Sequence, residues 1–313
     1  MSDPSTTWTE RPWLYELLRC TNCGRGLVST SESLACPSDH TFPIAEGIPR
    51  FTPPSSYADS FGFEWTSFPR LQLDSDENQE SAETFRAKTG FMPEDIAGRT
   101  VLDAGCGMGR FTHVVARWGA DRAIGTDISR AVDSAGKNLE AFSSVALLQA
   151  DLRSLPLPPG SFDIVFSIGV LHHTPDTFGA LARIADLVKP GGTLAIWVYS
   201  KRLRWTLFGS EVLRPITTRM SPERLLRVVR WVTPRTRAIK QRVPGSKVAL
   251  DLLLPTSNHP DSQWQVLDTF DWYSPRYQWK HTYDEVEGWF RRLGFEKIER
   301  LSVPVAVRGR RSP

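Results

Sequence analysis

Across 313 residues no apolar run approaches the ~20 that a membrane-spanning helix requires, and cysteine is scarce, with four in the whole chain. A disulfide-stapled secreted fold is therefore not expected. Met1 to Glu10 is polar and has no apolar h-region, so no secretory leader is expected either. Acids are missing from one stretch: residues 201–247 hold thirteen Lys and Arg against only Glu211 and Glu223. That local charge of +11 leaves −8 for the rest of a chain whose formal net charge is +3. Such asymmetry suits an anionic partner, RNA or a membrane surface, for this segment. The expected location is cytoplasmic, with peripheral contact to a membrane left open.

Three of the four cysteines lie together. Cys20-x2-Cys23, twelve residues, then Cys36-x3-His40 has the spacing of a closed tetrahedral zinc site. A unit this short has too little core to stand alone, and a structural metal substitutes for one. With four protein ligands no position is open for water, so the zinc is structural and not catalytic.

The most informative run is Val101-Leu102-Asp103-Ala104-Gly105-Cys106-Gly107-Met108-Gly109-Arg110. It reads as a buried strand ending in an acid, three alternate glycines, and a helix from Arg110 to Trp118. A dinucleotide fingerprint would need a third glycine where Arg110 stands. A carboxylate two residues before the first glycine repels a pyrophosphate but suits a ligand with an ammonium group. Asp127, after the next strand, can accept both ribose hydroxyls of an adenosine. An adenosine with a cationic amino-acid tail is S-adenosylmethionine.

On these residues the chain resembles the class I S-adenosylmethionine-dependent methyltransferases of the type 11-like group. Gln149-Ala150-Asp151-Leu152, Ser161 to His173, and Leu187 to Leu194 are similar to that family's later blocks, in its order and spacing. The resemblance implies an α/β fold: a Rossmann-like sheet, parallel with a final antiparallel strand. It also implies cofactor contacts from Asp103, Gly105, Cys106, Gly107, Gly109, Arg110, Asp127, Ile128, Ala150, Asp151, Leu152, Ser167, Ile168 and His172. Residues 18–51, ending Phe42-Pro43-Ile44-Ala45-Glu46-Gly47-Ile48-Pro49-Arg50-Phe51, resemble the zinc ribbon of tRNA-methyltransferase activator proteins. The ligand spacing also resembles the finger of a ribosomal-RNA guanine methyltransferase family, where it helps recognise RNA. A purely structural ribbon remains equally open.

The implied organisation is a zinc ribbon over 1–52, a linker and N-terminal lid over 53–97, and a cofactor-binding core over 98–199. A basic and aromatic substrate cap follows over 200–281, and 282–313 completes the core. The Pro53-Pro54-Ser55-Ser56 stretch suits the linker, and a helix is expected from Glu77 to Thr89. In the lid, Trp65 or Phe63 can cover the cofactor's methionine end, as such segments do in the family. Pro222 to Val232, capped by Ser221, reads as an amphipathic helix with Arg224, Arg227 and Arg230 in one stripe. Such a helix suits a membrane surface, RNA phosphates or plain solvent. The aromatic tract 267–281 suits a small-molecule pocket or a base-stacking surface. Thr282-x-x-Glu285 is a capping box for the last helix, and strands are expected at 295–302 and 304–308.

His172 and His173 follow the fourth strand, nearest the transferred methyl in the resembling enzymes, and a histidine there can take an acceptor's proton. His281 is a further catalytic candidate; Trp65, Tyr199, Tyr273, Arg276 and Tyr277 are candidates for acceptor contact. No aspartate-proline-proline-tyrosine signature follows the fourth strand, which disfavours an exocyclic amine as acceptor. The expectation is methyl transfer to oxygen or carbon of a small molecule or a lipid- or sugar-linked acceptor. A ribbon-assisted RNA base methyltransferase and a non-catalytic cofactor-binding partner protein are the alternatives.

Overall fold

A computed structural model describes residues 11–30, 32–53, 56–75, 77–201 and 208–313. The leader reading at Met1–Glu10, Pro54 and Ser55 of the linker, and Arg202 and Arg204 of the basic segment lie outside the described residues.

The N-terminal unit has one short helix, α1 (Pro12–Leu17), and four short strands: β1 (Val28–Ser29), β2 (Ser33–Ala35), β3 (Thr41–Ala45) and β4 (Ile48–Pro49). They pair antiparallel in sequential order. Its apolar residues Leu14, Leu18, Leu34 and Phe42 belong to the same buried cluster as Leu155, Leu157 and Phe162 of the main core. The ribbon is thus packed on the core and not held apart. The segment after β4 continues onto the main sheet, where the Phe51 amide donates to the Gln149 carbonyl at 2.7 Å.

Three helices follow: α2 (Asp59–Ser67), α3 (Glu80–Thr89) and α4 (Pro93–Ile96). Helix α3 starts three residues later than the sequence pattern suggests. Asp74 explains this: its two carboxylate oxygens accept from the Ser81 and Ala82 amides at 2.7 and 2.9 Å, capping the helix from outside it.

The core alternates β5 (Thr100–Ala104), α5 (Arg110–Arg117), β6 (Arg122–Asp127), α6 (Ala131–Leu139), β7 (Val145–Gln149), β8 (Phe162–Ile168), α7 (Thr177–Asp186) and β9 (Val188–Trp197). After β9 come the cap helices α8 (Phe208–Thr217), α9 (Pro222–Arg242), α10 (Ser246–Leu253) and α11 (Ser262–Tyr273). The chain closes with α12 (Tyr283–Arg292), β10 (Phe295–Arg300) and β11 (Ala306–Arg311).

The seven-stranded sheet has the order β10-β11-β9-β8-β5-β6-β7. Strands β5 to β9 pair in parallel, and β11 runs antiparallel to both β9 and β10. Strands β5, β7 and β8 are buried along almost their whole length. They therefore read as continuous apolar runs with no polar face.

Two further boundaries depart from expectation. Strand β11 runs to Arg311 and starts at Ala306, after Val305 turns the chain with a φ of 60°. Helix α9 runs ten residues past Val232, through Pro234. A proline removes one amide and pushes away the carbonyl four residues back. Here the Arg235 guanidinium donates to the Trp231 carbonyl at 2.8 Å and Thr236 Oγ1 to the Thr233 carbonyl at 2.9 Å. These side chains satisfy carbonyls around the interruption, and the helix continues.

Candidate active site

Strand β5 delivers its chain to the glycine loop at the carboxyl edge of the sheet. Gly105, Gly107 and Gly109 all have positive φ, of 96°, 54° and 90°. At Gly105 the need is also steric, since a Cβ there would lie 2.4 Å from Val170 Cγ2. The Gly107 amide donates to Asp127 Oδ2 at 3.0 Å, and Ser129 donates to Oδ1 through its amide and hydroxyl, both at 2.8 Å. Asp127 is thereby aimed into a cavity of about 340 Å³ that the loop borders. Helix α2 roofs this cavity: a Cβ on Gly107 would come 3.1 Å from the Trp65 indole nitrogen. Gly105, Cys106, Gly107, Arg110, Asp127, Ile128, Leu152 and Ile168 all line the cavity.

Several sequence candidates sit elsewhere. Asp103 is 2% exposed and does not line the cavity. It accepts from Thr112 Oγ1 at 2.7 Å, tying β5 to α5, and burial pushes its carboxyl up to about 7. Gly109, Ala150, Asp151 and Ser167 also lie behind the lining. Ser167 donates to the Ala104 carbonyl, and Asp151 pairs with Arg153. Tyr273 donates to the Pro255 carbonyl, and His281 Nε2 contacts Thr177 Oγ1 at 3.2 Å; neither reaches the cavity. Arg276 stacks on Tyr277, which meets Tyr57 edge-on and likewise contributes no side chain to the wall.

The two adjacent histidines part company. They lie on a short turn, Leu171–His173, that points them differently. His173 lines the cavity with its Nδ1 2.8 Å from the Tyr277 carbonyl oxygen. That contact places the proton on Nδ1 and leaves Nε2 as the ring's acceptor nitrogen. Burial pushes the His173 pKa down to about 4, so the ring is neutral near pH 7. His172 is fully buried behind the wall, stacked on Tyr199 with ring centroids 4.0 Å apart. Neither of its nitrogens has a hydrogen-bond partner among the described residues.

The aromatic tract 267–281, expected to suit a small-molecule pocket, supplies part of the remaining wall, while Glu64, Lys88 and Trp197 carried no such expectation. Glu64 of α2, Lys88 of α3, and Asp268, Asp271 and Trp272 of α11 meet Trp197, which ends β9, and Tyr199, just beyond it. Tyr199 donates its hydroxyl to Asp271 at 2.8 Å, and Ser257 donates to Asp268 at 2.9 Å. Burial pushes both aspartates up to about 6. Burial first, then Asp271, drives the Glu64 carboxyl well above the usual range. Burial also lowers Lys88 to about 7, its ammonium 3.5 Å from the centre of the Trp197 ring. One signal was available in the sequence: Asp268, Asp271 and Trp272 recur at i, i+3 and i+4 beside the apolar Leu267 and Phe270 of α11. Acids on the core face of a helix need a partner or a ligand.

At the other end of the chain, Cys23 Sγ and Cys36 Sγ are 3.8 Å apart, and Cys20 and Cys36 lie 3.5 and 3.3 Å from His40 Nδ1. All four ligand atoms lie within 4.8 Å of one another. A tetrahedral ion with bonds of about 2.3 Å to sulfur and 2.0 Å to nitrogen sets edges of about 3.5–3.8 Å.

Residues 102–196 match the sequence profile of the methyltransferase domain family. The chain is 35% identical over 124 residues to the ubiquinone biosynthesis O-methyltransferase of Methylococcus capsulatus, a span of 38% of this chain and 52% of that protein. It is 36% identical over 105 residues to the 27-O-demethylrifamycin SV methyltransferase of Amycolatopsis mediterranei, covering 32% of this chain and 38% of that one. The chain thus spans about half, or less, of the length of the curated relatives it matches. Among solved structures, magnesium protoporphyrin IX methyltransferase from Synechocystis aligns at 19% identity with a TM-score of 0.47, over 82% of this chain and 96% of that one.

Proposed function

We propose that this chain catalyses methyl transfer from S-adenosylmethionine to a hydroxyl or activated carbon of a small acceptor, held between the end of β9 and helix α11. The observation that carries the reading is that His173, its Nδ1 bonded to the Tyr277 carbonyl, lines the same cavity as Asp127 and the glycine loop. The residues present fit the cofactor: Asp127 offers carboxylate oxygens for ribose hydroxyls, with apolar Ile128 and Leu152 alongside. When bound, S-adenosylmethionine supplies a methyl group made electrophilic by a sulfonium.

The chain's own residues do the remainder. Trp65, Trp197, Tyr199 and Trp272 wall the acceptor and exclude water. The Tyr199–Asp271 pair and the Glu64 carboxyl offer polar partners to its polar atoms. His173 Nε2 takes the acceptor's proton, with the Tyr277 carbonyl holding the ring in the required tautomer. The relatives named as O-methyltransferases support oxygen as the methylated atom. We further infer that Cys20, Cys23, Cys36 and His40 bind a structural zinc ion, on the spacing of their ligand atoms.

Transfer of labelled methyl from S-adenosylmethionine into a cell extract, fractionated into RNA, organic-soluble and small polar pools, tests the proposal. Label in the organic or polar pool is expected; label released from RNA by nuclease would overturn it.

A further inference from the structure

Thirteen bulky apolar side chains stand well exposed among the described residues, and ten of them fall between Phe208 and Leu253. Elsewhere only Val28, Met92 and Trp279 are so exposed, scattered singly as on any soluble surface. The ten are arranged. On α8, Phe208, Val212 and Ile216 recur every four residues and so share one stripe. On α9, Val228 and Trp231 stand beside Arg224 and Arg227 around one shallow surface groove. On α10 no residue is buried although most of it is apolar, and Val248 is 76% exposed. Helix α10 packs against both α8 and α9, so the three helices form one continuous cap.

The charge on this cap is one-sided. Between 208 and 253 there are ten Lys and Arg and three acids. Two of those acids are already used, Asp251 by Lys240 at 2.6 Å and Glu211 by Lys280. Arg235 lies over the Trp231 ring at 4.3 Å. A basic surface carrying exposed Trp, Val, Leu and Ile is matched by one kind of partner, an apolar layer beneath negatively charged headgroups. RNA would answer the arginines but leaves the aliphatic side chains in water, since they neither stack nor pair. A second copy would bring two cationic faces together.

We propose that α8, α9 and α10 dock the protein on an anionic lipid bilayer, with the apolar side chains entering the headgroup layer and the arginines meeting lipid phosphates. Helix α11 carries both Asp271 of the cavity wall and the contacts to α8 and α9, so the docked face lies one helix from the site. The inference stands whether or not the chain transfers methyl groups.

Flotation of the full chain with phosphatidylcholine vesicles, with and without phosphatidylglycerol, tests it. Binding is expected only to the anionic vesicles. Arg224→Gln with Arg227→Gln should weaken it roughly thirty-fold, from about fivefold per surface arginine. Trp231→Ser with Val248→Ser should weaken it too while leaving the melting temperature unchanged, since both side chains are exposed. Three results would overturn the proposal: no binding to anionic vesicles, binding indifferent to all four substitutions, or a size-exclusion dimer that Trp231→Ser and Val248→Ser dissolve. Retention of RNA in place of vesicles, lost with the arginines and indifferent to Trp231→Ser, would overturn it equally.

Discussion

His173 and Asp271 show how far a single side chain's behaviour depends on what surrounds it. A cavity-lining histidine whose Nδ1 is committed to a carbonyl is a proton acceptor of fixed orientation. His173→Phe should therefore lower kcat by about 10²- to 10⁴-fold. Binding of S-adenosylhomocysteine, measured by calorimetry, should change far less. His172→Phe removes a ring that lies behind Tyr199, so it should act chiefly on stability. Equal losses of kcat for the two variants would place the base elsewhere. Asp271 gives a pH-dependent difference. Its carboxyl is raised from 3.8 to about 6, so the folded protein disfavours the ionised form. Protonated Asp271 favours folding below pH 4, and that contribution is lost as pH rises through 6. Asp271→Asn keeps an acceptor for Tyr199 but cannot ionise. Its melting temperature should match the parent near pH 4 and exceed it by a few degrees at pH 7–8.

Among the elements, the ribbon has the clearest structural task. Strand β7 ends the parallel sheet, and an open edge would expose its amides and carbonyls to other chains. The chain leaving β4 covers part of that edge through the Phe51 amide and the Arg50 guanidinium, which also pairs with Asp133 at 2.7 Å. Cys20→Ser should thus cost more than a local finger. Metal analysis should show loss of zinc, and the melting temperature should fall by roughly 10 °C, as removal of a structural metal costs several kcal/mol. Aggregation should accompany it. A variant that loses zinc yet melts as the parent does would make the ribbon an appendage. The element boundaries teach the same lesson. Asp74 caps α3 from six residues upstream of its first turn, and Arg235 bridges the proline in α9.

For the whole molecule, the matched domain covers residues 102–196 only. The ribbon, the roof helix α2 and the cap lie outside it; α2 brings Glu64 to the cavity and the cap brings Asp268, Asp271 and Trp272. On the proposed reading, acceptor choice belongs to the parts of this chain that its relatives' matching segments do not include. The split of charge, +11 over residues 201–247 and −8 elsewhere, gives the molecule a cationic side. Vesicle association should accordingly weaken as salt rises, because screening acts on the arginines. A residue of binding should persist at high salt from the buried apolar side chains. Binding abolished entirely by salt would mean that only the charges engage the lipid.

The sequence alone determined the sheet, the glycine loop, Asp127 and the Cys3His cluster. Each rests on local physics: strands buried on both faces read as apolar runs, glycines mark backbone that other residues avoid, and ligand spacing limits geometry. The tertiary structure decided which of two adjacent histidines faces the cavity, that Asp103 ties β5 to α5 instead of lining the wall, and that His281 and Tyr273 sit apart from it. It also gathered Glu64, Lys88, Asp268 and Asp271, contributed by α2, α3 and α11, into one wall. The i, i+3, i+4 spacing in α11 marks acids on a core face, but no pattern within one helix tells which groups of α2 and α3 they meet. The shifted acidities of these groups arise from burial by the rest of the chain, and burial is a property of the packed molecule.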